Sequence, residues 1–283
     1  MKIGNYKIKV IETTNFSLDG GAMFGVIPKP LWERTYQSAD ERNRIEMTTR
    51  LLLLESEDKK ILIDTGMGTK FDDKFADIYK IERNLSNIEV TLNSYGYKTD
   101  DITDVILTHL HFDHVGGATK LENGELVPTF KNAEYYVQEE QYKWAMNPTP
   151  KDRASFIPDN YMPLLNHNRL NLIGGEGTLF PNIDVIPIDG HTKGMQMVKI
   201  YDDKETLLYI TDLCPTSAHI LAPYFMGYDN FPLTVLEEKQ KYLPMAYEDN
   251  WTIFFEHDAI TQAAKIETAK HGFQIKERFN IND

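Results

Sequence analysis

What this chain lacks narrows it first. Among 283 residues there is a single cysteine, Cys214, which excludes an intramolecular disulfide framework and any cysteine-rich zinc site. No apolar run approaches the roughly 20 residues needed to cross a bilayer. The opening stretch from Met1 to Val10 alternates lysine with apolar residues and has no hydrophobic core of the kind a secretory signal carries. A soluble, cytoplasmic protein is therefore expected. No stretch is rich in Pro, Gly and Ser, none repeats and none is of low complexity, so one domain over 1–283 is expected. Basic residues are scarce, 30 against 43 acidic ones, for a net charge of −13. No Lys/Arg cluster is free of interleaved Asp and Glu, so neither a nucleic acid, which needs a basic stripe to release counterions, nor a membrane is expected as a partner.

What is present reads as a mixed protein. Short apolar runs predict strands at Lys7–Thr13, Arg50–Glu55, Lys60–Asp64, Asp104–Thr108, Ala133–Gln138, Asp184–Ile188, Gln196–Tyr201, Thr206–Thr211 and Trp251–Glu256. Turn signals at Glu57-Asp58, Asn123-Gly124 and Asp202-Asp203 imply antiparallel hairpins. Ser86 with Glu89 makes a capping box for one helix, with Leu85 and Val90 as its staple and Gly96 at its end. Thr234 with Glu237 predicts a second, which Pro244 should kink or stop, and a last helix is predicted from about Ile260 to Lys270, ending at His271-Gly272. Together these suggest an α/β (α+β) fold of two sheets with helices outside.

The chemistry is concentrated in Thr108-His109-Leu110-His111-Phe112-Asp113-His114, directly after a predicted strand. His109 and His111 are two apart, so extended backbone puts both imidazoles on one face. Asp113 and His114 follow where the chain must turn and aim at a second point. Three His and one Asp in so short a span, in a chain with 8 His, is far from what chance supplies. His191, Asp212 and His257 lie at the ends of three other predicted strands. Imidazoles mixed with carboxylates suit zinc, iron, cobalt or manganese rather than magnesium or calcium. Seven donors are too many for one tetrahedral ion and right for two that share a carboxylate. Such a pair, about 3.5–4 Å apart, binds a bridging hydroxide and lowers the pKa of water toward about 7. Two divalent ions, zinc first, are the expected cofactor.

This pattern resembles the metallo-β-lactamase superfamily, whose signature is His-x-His-x-Asp-His followed by His, Asp and His at later strand ends. The resemblance runs from Leu62-Ile63-Asp64-Thr65-Gly66 to Glu256-His257-Asp258. It implies a four-layer αββα sandwich of two mixed sheets with the metals on one edge. It further implies that His109, His111 and His191 hold the first ion, that Asp113, His114 and His257 hold the second, and that Asp212 bridges them. Keeping Asp113, Asp212 and His257 together points away from true β-lactamases. The acidity fits poorly with the tRNA-processing nucleases, only a short tail follows His257 where glyoxalase II adds a helical region, and the flavodiiron substitutions are absent. The segments Leu18-Asp19-Gly20-Gly21-Ala22-Met23-Phe24-Gly25, Pro28-Lys29-Pro30-Leu31-Trp32 and Asp212-Leu213-Cys214-Pro215-Thr216-Ser217-Ala218-His219 resemble the N-acyl-homoserine lactonases and the methyl parathion hydrolase-like enzymes. The resemblance alone implies a homodimer, in which an N-terminal arm at about 14–48 would serve pocket or dimer contacts.

The reading that follows is a dinuclear metal-dependent hydrolase that opens a lactone or related ester. The alternatives are a phosphotriester hydrolase using the same metals and, more remotely, a metal-binding protein without turnover. Asp113 is expected to bind metal and carry a proton to the leaving alkoxide, since a carboxylate has a spare oxygen. Asp64 is expected to accept the far N–H of a ligand histidine. His219 is the foremost candidate for a substrate contact, with Tyr224, Tyr228, Phe24 and Met23 behind it; Phe24, Met23 and Trp32 would equally suit an interface. His167 and His271 are read as surface or helix-end residues and Cys214 as a buried, inert thiol.

Overall fold

The computed structural model describes residues 1–270 and 272–282. The chain divides into two compact units, one of Met1–Phe16, Thr48–Gly175 and Asn282, the other of Ser17–Met47 and Glu176–Ile281.

The first large sheet orders its seven strands β1-β2-β3-β4-β5-β8-β9. These are Lys2–Ile3 (β1), Tyr6–Asp19 (β2), Arg44–Glu55 (β3), Lys60–Ile63 (β4), Asp104–Ile106 (β5), Glu134–Gln138 (β8) and Leu170–Ile173 (β9), with Thr119–Glu122 (β6) and Glu125–Pro128 (β7) forming a separate hairpin. From β4 onward the pairings are parallel, and parallel strands are covered on both faces. That is why β5 is buried at every position and reads as an apolar run rather than an alternating one. Ile11, Leu51, Leu53, Leu62, Val105, Tyr135 and Val137 form the core of this unit with Leu92 and Leu164 from helical segments. The β6–β7 turn has Asn123 at φ 52° and Gly124 at φ 87°, the left-handed pair that a two-residue hairpin demands.

The second large sheet runs β10 to β16 in chain order: Gly177–Phe180, Ile183–Ile188, Met195–Tyr201, Thr206–Tyr209, Thr252–Phe254, Ala263–Ala269 and Gly272–Phe279. All its pairings are antiparallel except β13 with β14. A parallel pair needs a crossover, and the helix Pro232–Glu248 lies within it, burying Val235, Tyr242, Leu243 and Ala246 against Ile186, Met197, Leu208 and Ile253.

Four local expectations are corrected. The helix Ile88–Ser94 is capped by Asn87, whose side chain accepts from the N–H groups of Glu89 and Val90; Ser86 instead bonds back to the Glu82 carbonyl. Gly96 does end it, at φ 84°. Thr234 lies inside its helix, which starts at Pro232 with no side-chain cap. That helix also passes through Pro244 to Glu248. The carbonyl that proline cannot serve belongs to Gln240, an exposed residue. Finally, 263–269 is a strand and no helix spans 260–270. Three alanines favour a helix there, but pairing with β14 on one side and along seven positions of β16 on the other outweighs propensity. His271, placed at the end of that helix, lies outside the described residues. Among the described residues no helix is long and apolar enough to cross a membrane.

Candidate metal centre

In the first unit the chain leaves β5 and bends through 107–111 into the short helix Phe112–Val115. The backbone is not an extended strand here, yet His109 and His111 still meet, with His109 Nε2 3.1 Å from His111 Nδ1. The rings of His109 and His114 are 3.9 Å apart, and all three imidazoles are buried. Asp113 is the accessible member of the set, with 13% of its side chain exposed.

Asp64 holds this cluster. One oxygen accepts the Thr108 N–H at 2.7 Å, the other accepts the Thr108 hydroxyl at 2.7 Å and faces His114 Nδ1 at 3.1 Å. The carboxylate therefore takes the Nδ1–H of His114 and leaves Nε2 for a ligand, the orienting role that a metal-binding histidine requires. Asp64 sits at φ 58°, uncommon for a residue with a side chain, and its position after β4 is fixed by its own N–H to the Ile106 carbonyl at 2.9 Å. The turn that follows is pressed against the 114–117 segment backbone to backbone. The Thr65 N–H donates to the His114 carbonyl at 2.8 Å, and the Gly117 N–H to the Gly66 carbonyl at 3.0 Å. A Cβ on Gly116 would stand 2.0 Å from the Met67 carbonyl oxygen, and one on Gly117 2.2 Å from that of Thr65, so only glycine fits at either place. Lys70 donates to the Gly116 and Thr119 carbonyls at 2.5 Å each.

Beside Asp113 lies an aromatic group that no sequence motif singles out. Phe75 meets Phe112 edge to face at 5.0 Å, Tyr79 lies 5.3 Å from Phe112, and Phe71 stacks on Phe75 at 6.0 Å. Burial, with the Asp113 carboxylate as a second cause, pushes the Tyr79 phenol above its usual range. The available signal is the four-residue spacing of 71, 75 and 79, although the helix itself is Asp73–Ile78, with Phe71 ahead of it and Tyr79 at its end.

In the second unit His191 follows β11, Asp212 sits in the tight turn Thr211–Leu213 after β13, and His257 follows β14. The two Asp212 oxygens face different histidines, Oδ2 to His191 Nε2 at 3.1 Å and Oδ1 to His257 Nε2 at 3.4 Å. His191 Nδ1 is 2.8 Å from Asp229 Oδ1. Burial opposes a proton on His191, but Asp212 and Asp229 outweigh it and raise its pKa to about 9. Asp229, in Tyr228-Asp229-Asn230, carries no motif to single it out.

The remaining candidates are also placed in this unit. His219 is fully buried, with Nε2 2.8 Å from the Met23 carbonyl and Nδ1 2.7 Å from the Thr216 hydroxyl. A neutral ring donating from Nε2 and accepting at Nδ1 satisfies both contacts. Burial first, and the Lys239 charge second, lower its pKa to about 3. Phe24 is stacked between Trp32 at 5.3 Å and His219 at 4.8 Å, with Tyr224 edge-on. Met23, Phe24 and Trp32 thus pack inside their own chain rather than presenting a free face. Tyr228 is the accessible one of the five substrate candidates, 37% exposed. His167 is exposed, and Cys214 is buried with its thiol on the His219 carbonyl at 3.4 Å.

The donor chemistry fits divalent metal. Each unit offers imidazole nitrogens with at least one carboxylate, and in each a histidine is turned by a second carboxylate on its other nitrogen, Asp64 for His114 and Asp229 for His191. That is an N/O set for zinc or a similar ion, with no thiolate in it.

Comparison with known proteins agrees with this chemistry. The model of the metallo-beta-lactamase superfamily matches residues 49–257. An N-acyl homoserine lactonase of Bacillus cereus is 27% identical over 227 residues, covering 76% of this chain and 83% of its own. Among solved structures, a probable metal-dependent hydrolase from Staphylococcus aureus superposes with a TM-score of 0.86 at 28% identity, covering 99% of this chain and 100% of that one. The dizinc quorum-quenching lactonase AidC, in complex with a product, gives a TM-score of 0.82 at 21% identity over 99% of this chain and 97% of its own, a likeness of fold.

Proposed function

This chain belongs to the metallo-beta-lactamase superfamily and is a metal-dependent hydrolase, and we propose that it opens N-acyl homoserine lactones or closely related lactones. The reading takes 1–283 as one hydrolase domain in which His109, His111 and His191 hold one ion, Asp113, His114 and His257 a second, and Asp212 both. When bound, two such ions, zinc first, would supply Lewis acidity toward the ring carbonyl and hydroxide at neutral pH.

The observation that carries the substrate reading is the aromatic wall of Phe71, Phe75, Tyr79 and Phe112, adjoining Asp113 in sequence and in space. A proton-carrying carboxylate next to an apolar wall suits an ester whose reacting ring bears an apolar tail. The lactonases among the relatives support the same choice. Asp113, the most accessible donor of its cluster, would take the proton of the water whose oxygen bonds to the ring carbonyl carbon and pass it to the alkoxide released as the ring C–O bond breaks, yielding the open hydroxy acid. Asp64 and Asp229 would hold their histidines in the ligating tautomer. Tyr228 would donate to a substrate oxygen, while His219 acts on the substrate only through the Met23 segment it holds.

The test is purified protein of known metal content, assayed in parallel on acyl-homoserine lactones of different chain length, unsubstituted lactones, aryl esters and a phosphotriester. The expected result is fastest turnover of the long-chain lactones. Preference for the phosphotriester replaces the substrate assignment, and inactivity on every compound with two metals bound defeats it.

A further inference from the structure

Glu238 and Lys239 are consecutive residues of the Pro232–Glu248 helix, opposite in charge, and each is directed at backbone groups of its own unit. Glu238 accepts the N–H of Asp189 at 2.6 Å and that of Gly190 at 3.2 Å, the two residues ahead of His191. The helix start holds the same turn by its carbonyls: Phe231 N–H donates to Gly190 at 2.8 Å and Asn230 N–H to His191 at 3.0 Å. The approach is close enough that a Cβ on Gly190 would stand 2.6 Å from the Val235 nitrogen and 2.7 Å from Glu238 Oε2. Lys239, 2% exposed, donates to the carbonyls of His219 and Tyr224. Burying charged groups is costly, and Val235, Tyr242 and Leu243 already dock this helix through apolar contact. Burial pushes the Glu238 carboxyl up to about 7, against the pull of its two amide donors. A carboxylate kept in such a place needs an explanation other than docking.

We propose that Glu238 is a positioning residue for His191: its carboxylate fixes the Asp189–Gly190 turn by both amide hydrogens, and so fixes the direction in which His191 presents Nε2. Asp229 sets the rotation of the ring and Glu238 the placement of the backbone that bears it. Lys239 does the corresponding work for the 219–224 loop. This inference rests on His191 being a metal ligand.

The experiment is zinc affinity of the full chain, measured by competition with a chromophoric chelator, alongside thermal unfolding of the zinc-free protein. Glu238→Gln keeps the length of the side chain and one acceptor, but sets an amide NH2 against an N–H donor. Its weaker zinc site is expected to lose at least about 10-fold in affinity, the usual effect of removing an orienting partner. Leu243→Ala, which loosens the same helix through its apolar contact and not at the Asp189–Gly190 turn, is expected to lower the melting temperature and leave zinc affinity within about twofold. Wild-type affinity in Glu238→Gln, or a loss equal to that in Leu243→Ala, overturns the proposal. His191→Ala separates the premise from the inference: if it binds zinc as the wild type does, the ligand assignment itself fails. Should Glu238→Gln not fold, hydrogen exchange in the zinc-loaded wild type decides. Asp189 and Gly190 amides protected like those of β11 support the clamp, and exchange at the rate of exposed turns refutes it.

Discussion

His191 and Asp229 are joined ring to carboxylate at 2.8 Å, and the other Asp229 oxygen accepts the Met226 N–H at 2.8 Å. The carboxylate is therefore fixed before it fixes the histidine. Asp229→Ala removes the acceptor for Nδ1–H, and zinc affinity should fall by about 10- to 100-fold. Chelator competition reads this directly; an unchanged dissociation constant would mean that His191 needs no orienting partner.

Asp113→Asn keeps one ligating oxygen and removes the group that carries a proton. Turnover should fall by about 10²- to 10⁴-fold, with metal content unchanged by atomic absorption. Full activity in a variant that still holds its metal ends the proton-transfer role.

Phe75 packs on Phe71, Tyr79 and Phe112. Phe75→Ala should therefore raise KM for long-chain lactones while leaving short-chain lactones close to wild type, a difference of about 1–3 kcal/mol in kcat/KM. An equal effect on all chain lengths would place the acyl tail elsewhere.

The pKa of His219 is lowered to about 3 from an ordinary 6.5. Between those values the unfolded chain binds a proton that the folded chain refuses. The stability contributed by neutral His219 is thus complete above about pH 6.5 and is lost as pH falls, by about 1.4 kcal/mol for each pH unit below that value. Urea unfolding of the metal-free wild type and of His219→Gln from pH 8 to 5 should show the wild type losing stability more steeply. Parallel curves would remove His219 as the cause.

Chelation of the ions should abolish hydrolysis and lower the melting temperature, since a ligand bound only by the folded state stabilises it by mass action. Activity should return at two equivalents of zinc per chain. Full recovery at one equivalent would make the site mononuclear.

Much of the fold and of the candidate site is legible in the sequence. The 109–114 cluster announces itself because a run of histidines has no common alternative use, and Asp64 is marked by its position at a strand end ahead of Thr65-Gly66. The β4 and β5 runs stand out because strands covered on both faces carry buried apolar residues in succession, Ile61-Leu62-Ile63 and Val105-Ile106, whereas in β8 burial alternates from Glu134 to Val137. The failures share a different cause. Asp229 and Glu238 act on residues 38 and 48 or 49 positions away, and nothing local marks a carboxylate whose partner is a distant backbone. Strand β15 reads as a helix because alanines report propensity while the ladder that decides the matter lies in another segment. Phe24 and Met23 read as pocket or interface residues because exposure is not written in an apolar side chain; in the fold, Phe24 is the stacking partner of His219.

The glycine contact between the 65–68 turn and the 114–117 segment limits how this protein can change. Gly116 and Gly117 leave no room for even a methyl group between the two backbones, so a side chain at either must displace the carbonyl of Met67 or of Thr65, and the Thr65 N–H is what holds the His114 carbonyl at 2.8 Å. The turn at 65–68 thus braces the 114–117 backbone although it supplies none of the candidate metal donors.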